Sequence, residues 1–189
     1  MADNEDPATA WTGVYFLRDY NPVWFQGQRN PAFKKATDGR LLDLKDNLDH
    51  GVTAAADDFK AGLDKLNLPV GTILVIVPGH EAMKSNEGRA LARAAHALAK
   101  LDERYVASVD SLIRMKTVPK KTGGGSRDID VDLNSIVVSN SSSLKGKVVV
   151  ALDDTTTTGG SLTAARQLLD RAGAKKVAAV AIGRTVKYL

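Results

Sequence analysis

The sequence predicts an α/β protein: a three-layer sandwich with helices on both faces of a mostly parallel central sheet of about five strands. Compact apolar, β-branched runs at 72–77, 147–152 and 177–182 have turn signals around them, as strands buried on two faces do. Stretches with apolar residues at every third or fourth position separate these runs. The connections are short, so strand and helix alternate in the pattern that builds a parallel sheet.

Taken in order, the first ten residues are polar and acidic and are expected to fray. Residues 12–18 mix aromatics with Val14 and Leu17, which suits a short strand, and 21–39 carry Pro22, Gly27, Pro31 and Gly39 and read as loop. Leu41, Leu44, Leu48, Val52, Ala55, Phe59, Leu63 and Leu66 keep helical spacing, which predicts one long helix, loosened near Gly51 and ended by Pro69. After the strand at 72–77, Leu91, Ala94, Ala95, Leu98 and Leu101 define a helix over about 87–101. Residues 106–109 and 112–115 are expected to pair as short strands. Residues 116–130 hold Pro119 and three consecutive glycines and read as a mobile basic loop, and 136–138 is a further strand. Gly146 turns the chain into the strand at 147–152. A helix over 161–172 ends at Gly173, in the C′ position that favours glycine, and 177–182 is the last strand.

A chain of 189 residues suits one domain with a genuine core. The absence of cysteine excludes disulfides and thiolate-held metals. No apolar run is long enough to span a bilayer, and the first residues lack the basic-then-apolar pattern of a secretory signal. A cytoplasmic location and no membrane partner are therefore expected. A net charge of +4 suits a phosphate-rich ligand about as well as weak nucleic-acid contact, and it decides neither.

The chemistry concentrates in 148–161, Val-Val-Val-Ala-Leu-Asp-Asp-Thr-Thr-Thr-Thr-Gly-Gly-Ser. An apolar strand delivers Asp153 and Asp154 to its C-terminal end, where open α/β sheets bind ligands. Thr155, Thr156, Thr157, Thr158, Gly159, Gly160 and Ser161 then lead into a helix. Amides at a helix N-terminus beside hydroxyls make a phosphate cradle, and the glycines allow close approach. The two carboxylates could meet sugar hydroxyls and hold a hydrated magnesium ion. A capped strand-to-helix turn alone would explain one or two of these residues but not the whole run. A Walker loop needs a lysine where Ser161 stands, and no dinucleotide fingerprint follows the first strand.

This stretch resembles the signature of type I phosphoribosyltransferases, which bind 5-phosphoribosyl-1-pyrophosphate (PRPP). The resemblance implies that Asp153 and Asp154 engage the ribose hydroxyls and Mg²⁺, and that the loop from Thr157 to Ser161 holds the 5-phosphate. Purine-type members carry an Asp at the position of Thr157, so the Thr argues against purine salvage. A further similarity is to the ComF-like branch, in Val77-Pro78-Gly79-His80 and in Leu112-Ile113-Arg114-Met115-Lys116-Thr117. Where that branch has Arg-Gly-Phe-Asn-Gln, this chain has Ser85-Asn86-Glu87-Gly88-Arg89.

By the same resemblance Pro78, Gly79 and His80 form the pyrophosphate loop, with a surface histidine as the other reading of His80. The segment 114–130 would close over PRPP, with Arg114 and Lys116 as the leading donors and Lys120, Lys121 and Arg127 behind them. His50 and His96 read as ordinary helix residues. Residues 1–40 would be an N-terminal hood and 41–189 the transferase core. The hood aromatics Trp11, Tyr15, Phe16, Trp24 and Phe25 would stack on a base or form the lobe's own core. The implied function is transfer of ribose 5-phosphate to a small nitrogen-containing acceptor, with Mg²⁺ and release of pyrophosphate. Dimerisation is common among such relatives, though nothing in the sequence fixes an interface. The rival readings are a catalytically silent PRPP- or nucleotide-binding regulator and a DNA-uptake accessory protein.

Overall fold

The computed structural model describes residues 13–25, 27–119 and 128–186. In chain order, β1 (Gly13–Tyr20) leads to a small ribbon, β2 (Trp24–Phe25) and β3 (Gln28–Arg29), then to helices α1 (Asp38–Lys45) and α2 (Asp49–Leu63). Next come β4 (Thr72–Ile76), α3 (Ala90–Leu101), β5 (Tyr105–Ala107), β6 (Leu112–Arg114), α4 (Ile129–Leu133) and β7 (Ile136–Val138). The chain continues through α5 (Ser141–Leu144), β8 (Val148–Thr156), α6 (Gly160–Arg171) and β9 (Lys176–Thr185).

Five strands form one sheet in the order β1-β9-β8-β4-β5, every pair parallel. The strand period of two divides the side chains between two cores. Leu74, Ile76, Val150 and Leu152 pack with Leu44, Phe59, Leu91 and Leu98 of α1, α2 and α3. Val75, Val77, Val149 and Ala151 pack on the other face with Leu162, Ala165 and Leu169 of α6 and with Leu112 and Ile136. This is the sandwich expected from the alternating apolar runs. All of β4 is buried, which is why it reads as a continuous run.

Four details differ from the sequence expectation. The expected long helix is two helices, because Asn47 takes a left-handed conformation (φ 58°) and turns the chain between them. Gly51 lies inside α2, and its function is packing. A Cβ there would stand 2.4 Å from the Asp43 carbonyl carbon and 2.5 Å from the Leu44 nitrogen, so the glycine lets α1 and α2 meet backbone to backbone. Second, the segments at 106–109 and 112–115 do not pair: β5 joins β4 in the main sheet, and β6 pairs antiparallel with β7. The Asp110 carboxylate holds the turn between them, accepting from Ser85 Oγ at 2.7 Å and the Asn86 amide at 2.6 Å. Third, α3 starts at Ala90 because the preceding residues are held in that turn, with Gly88 at φ 78°. Fourth, β1, expected only as a short strand, is an edge strand of the central sheet, paired with β9 over Gly13–Tyr20.

Among the aromatics expected in a hood, Tyr15 is partly buried against the core, Trp24 is exposed, and Phe16 carries the Arg184 guanidinium 4.0 Å from its ring centroid. Trp11 and the Phe25 side chain lie outside the described residues. Gly51→Ala separates propensity from packing. Alanine is worth up to about 1 kcal/mol in a helix interior, whereas a clash with backbone costs about 1–3 kcal/mol. Net destabilisation is expected, read as a lowered midpoint in chemical denaturation.

Candidate functional site

The sheet order creates a crevice. From β4 the chain moves outward through α3 to β5, and from β8 it moves the opposite way through α6 to β9. The C-terminal ends of neighbouring β4 and β8 are thus the topological switch point, where ligands of open α/β sheets bind. Ile76 is opposite Leu152, and the Val77 amide donates to the Leu152 carbonyl at 2.9 Å. Pro78-Gly79-His80 and Asp153-Asp154 therefore leave adjacent strands at the same level.

Both carboxylates are partly buried. Asp154 Oδ1 accepts from Thr155 Oγ1 at 3.0 Å and from the Thr155 amide. Asp153 Oδ1 accepts from the Asp154 amide at 2.9 Å. Burial, and then the charge of Asp154, push the Asp153 carboxyl well above the usual carboxylate range, against that amide bond and the charges of Arg89 and Lys45. The consequence for stability follows from the sign. Where the folded pKa is the higher, stability is fullest below the unfolded value near 4, declines as pH rises, and levels off above the folded value. Asp153→Asn is therefore expected to gain on wild type progressively above about pH 4, in denaturation series without divalent cations. A gap that does not change with pH would contradict it.

β8 continues through Thr156, so Thr155 and Thr156 are still strand residues, paired with Gly183 and Arg184 of β9. Thr157 and the exposed Thr158 make the turn. Gly159, buried at φ 81°, is the N-cap of α6, and its amide donates to Thr156 Oγ1 at 3.0 Å. Gly160 and Ser161 open the helix. A positive φ at a buried position is what makes Gly159 obligatory there.

On the other side of the crevice Pro78 is buried, while Gly79 and His80 are partly exposed. This loop is stitched to the segment after β6. The Met83 amide donates to the Arg114 carbonyl at 2.7 Å, the Ala82 amide to Thr117 Oγ1 at 3.0 Å, and the Val118 amide to the His80 carbonyl at 2.9 Å. Arg114 is only 3% exposed. It donates to the Gly79 carbonyl at 2.5 Å, to Ser135 Oγ at 2.5 Å and to the fully buried Asp132 at 2.8 Å. Arg114, expected as a ligand contact, instead directs its guanidinium at three acceptors inside the protein and holds the Gly79 loop in place. Lys116 is exposed beside that loop. Lys120, Lys121 and Arg127 lie outside the described residues.

Three residues that the sequence reading did not single out as site residues belong here. Arg89 donates to Asn86 Oδ1 at 2.8 Å, and its guanidinium lies against the Gly79 backbone. Asn86, buried, donates to the Val109 and Leu112 carbonyls, both at 3.0 Å, and fixes that arrangement. Lys45 reaches from α1 to Thr155 Oγ1 at 3.3 Å. A cavity of about 510 Å³, whose lining includes Lys45, Lys84, Arg89, Asp153 and Asp154, adjoins a smaller one of about 170 Å³ at Gly79, His80 and Arg89. Among the described residues no group of three or more His, Asp and Glu could hold a metal alone. The carboxylate pair suits instead a magnesium ion that takes its other ligands from phosphates and water. No helix of the described residues is long and apolar enough to cross a membrane.

A family model described as the phosphoribosyl transferase domain matches residues 87–185, just over half of the chain. The chain belongs to the phosphoribosyl transferase domain family, and its five-stranded parallel sheet between helices is the type I fold. Among solved structures it is similar to an allosteric regulatory enzyme of purine biosynthesis, with 18% identity and a TM-score of 0.45. That match covers 69% of this chain and 26% of the other, so the chain spans about a quarter of that relative's length. A hypoxanthine phosphoribosyl transferase of Trypanosoma cruzi is 12% identical with a TM-score of 0.41, covering 79% of this chain and 71% of that one. No curated protein matches the chain.

Proposed function

We propose that the protein transfers ribose 5-phosphate from PRPP to a nitrogen-containing acceptor and releases pyrophosphate. One observation carries the reading: two carboxylates, a glycine-capped helix start and a glycine loop converge at the switch point between β4 and β8. Asp153 and Asp154 hold the ribose hydroxyls and stabilise positive charge developing at C1, as in other oxocarbenium-like reactions. The start of α6, from Thr157 to Ser161, anchors the 5-phosphate through amides and hydroxyls. Gly79, His80, Arg89 and Lys116 receive the pyrophosphate as the C1–O bond breaks with its electron pair. Mg²⁺, when bound, neutralises the phosphate oxygens. The acceptor nitrogen forms the new bond to C1, and where that nitrogen carries a hydrogen it gives up the proton to solvent.

The finer placement beside the ComF-like branch rests on Val77-Pro78-Gly79-His80 and on the segment at 112–117, with the cytoplasm as the expected setting. Calorimetric titration of Mg-PRPP tests the reading. Micromolar binding followed by pyrophosphate release with some acceptor supports it, and no binding to the wild-type protein overturns it.

A further inference from the structure

We infer that Thr155 and Lys45 are positioning residues: the Thr155 hydroxyl, held by Lys45, fixes the Asp154 carboxylate in the orientation that receives the ribose. The inference rests on the transferase reading above and names what sets the geometry of its site.

Four consecutive threonines follow the carboxylates, and they stand in different places. Thr157 and Thr158 make the turn, and Thr156 Oγ1 accepts from the Gly159 amide. Thr155 is still in β8, opposite Gly183. Its methyl carbon lies 3.5 Å from the point that a Cβ on Gly183 would occupy, so the methyl faces β9. With the methyl set there, β-branching leaves the hydroxyl little choice of direction. That hydroxyl donates to Asp154 Oδ1 at 3.0 Å and accepts from Lys45 Nζ at 3.3 Å. The polarity is forced, because an ammonium only donates and an ionised carboxylate only accepts. The Thr155 amide donates to the same oxygen at 2.5 Å. Two bonds on Oδ1 restrict the rotation of the carboxylate. Among the described residues no hydrogen bond reaches Oδ2, the oxygen left for a ribose hydroxyl.

Lys45 is itself held. It leaves the last turn of α1, and its ammonium stands 5.1 Å from the ring centroid of the buried Tyr20. A donor bond into the Thr155 hydroxyl polarises it and strengthens its bond to Asp154. The same ammonium, with Arg89, opposes the burial that disfavours the charged Asp153. Lys45 thus acts on both carboxylates, through a hydroxyl on one and through space on the other. Its place in the larger cavity is accounted for without a bond to the ligand.

The test is a double-mutant cycle read as the calorimetric Kd for Mg-PRPP. Thr155→Val, which keeps the shape and removes the hydroxyl, is expected to weaken binding about tenfold, the effect of one hydrogen bond to a charged group. Thr155→Ser restores the hydroxyl and should return the Kd to within about threefold of wild type. Lys45→Met, which keeps an unbranched stem beside Tyr20, is expected to cost about three- to tenfold. In the Thr155→Val background the same lysine change should add less than about twofold, because its route to Asp154 is already cut. Chemical denaturation of each variant checks that the fold is kept. Wild-type affinity in Thr155→Val overturns the inference. So does a serine variant as weak as the valine one, which would make the role one of packing. Additive losses in the double variant overturn it too, since Lys45 would then meet the ligand directly. A wild type that does not bind Mg-PRPP overturns the transferase reading first, so the two failures are read apart.

Discussion

Asp153→Asn combined with Asp154→Asn is expected to weaken Mg-PRPP binding by about a hundredfold to ten-thousandfold while leaving the fold intact or firmer. Each carboxylate would accept charge-assisted hydrogen bonds from the ribose or share the metal, and each such interaction is worth about 1.5–3 kcal/mol. Losing two therefore removes roughly two to four powers of ten. Stability should move the other way, because burial and mutual repulsion already disfavour the ionised pair. Titration calorimetry and chemical denaturation on the same preparations check both halves. Retained affinity would mean that the anion-binding parts act without the carboxylates, and the site would need another description.

Arg114→Ala is expected to cost about 3–5 kcal/mol, since it takes the Arg114 guanidinium away from the fully buried Asp132. It also releases the Gly79 carbonyl, so the loop beside β4 loses a tether from the β6–β7 ribbon. PRPP affinity should fall as a second consequence. The double variant Arg114→Met with Asp132→Leu separates the effects: removing both charges should recover most of the stability and leave the loop poorly held. A loss below about 1 kcal/mol for Arg114→Ala, measured by urea denaturation, would contradict the buried ion pair.

Much of the sheet was legible because buried parallel strands must be continuously apolar, and 72–77, 147–152 and 177–182 are. The Asp153–Ser161 turn was legible because few local structures need such a run of small hydroxyl and glycine residues. What stayed hidden depends on long-range pairing. β1 reads as an isolated strand because its polar Arg18 and Asp19 suit an edge, and nothing local names β9 as its neighbour. Two short strands separated by a few residues look like a hairpin, yet tethers from Ser85 and Asn86 to the intervening Asp110 accompany their entry into different sheets. Arg89 and Lys45 look like ordinary surface cations in sequence, and only the crossing of α1 and α3 over the end of β8 brings them to one cavity. Arg114 is the reverse case: its place in the ComF-like segment suggested a ligand contact, while its guanidinium, buried beside Asp132, braces the Gly79 loop.

The parallel pairing of β1 with β9 sets a condition on synthesis. Tyr20 aligns with Thr185, and Asp19 bonds Arg184 across 165 residues. The strand translated first among those described thus waits for the one translated last. Until then Val14 and Phe16 have no sheet to join, and an unpaired strand with exposed apolar residues is what chaperones recognise and what misassociates. A topology closed by so distant a contact folds slowly for its size. The central strands can pair as they emerge, but the β1 edge of the sheet forms only once β9 has been made.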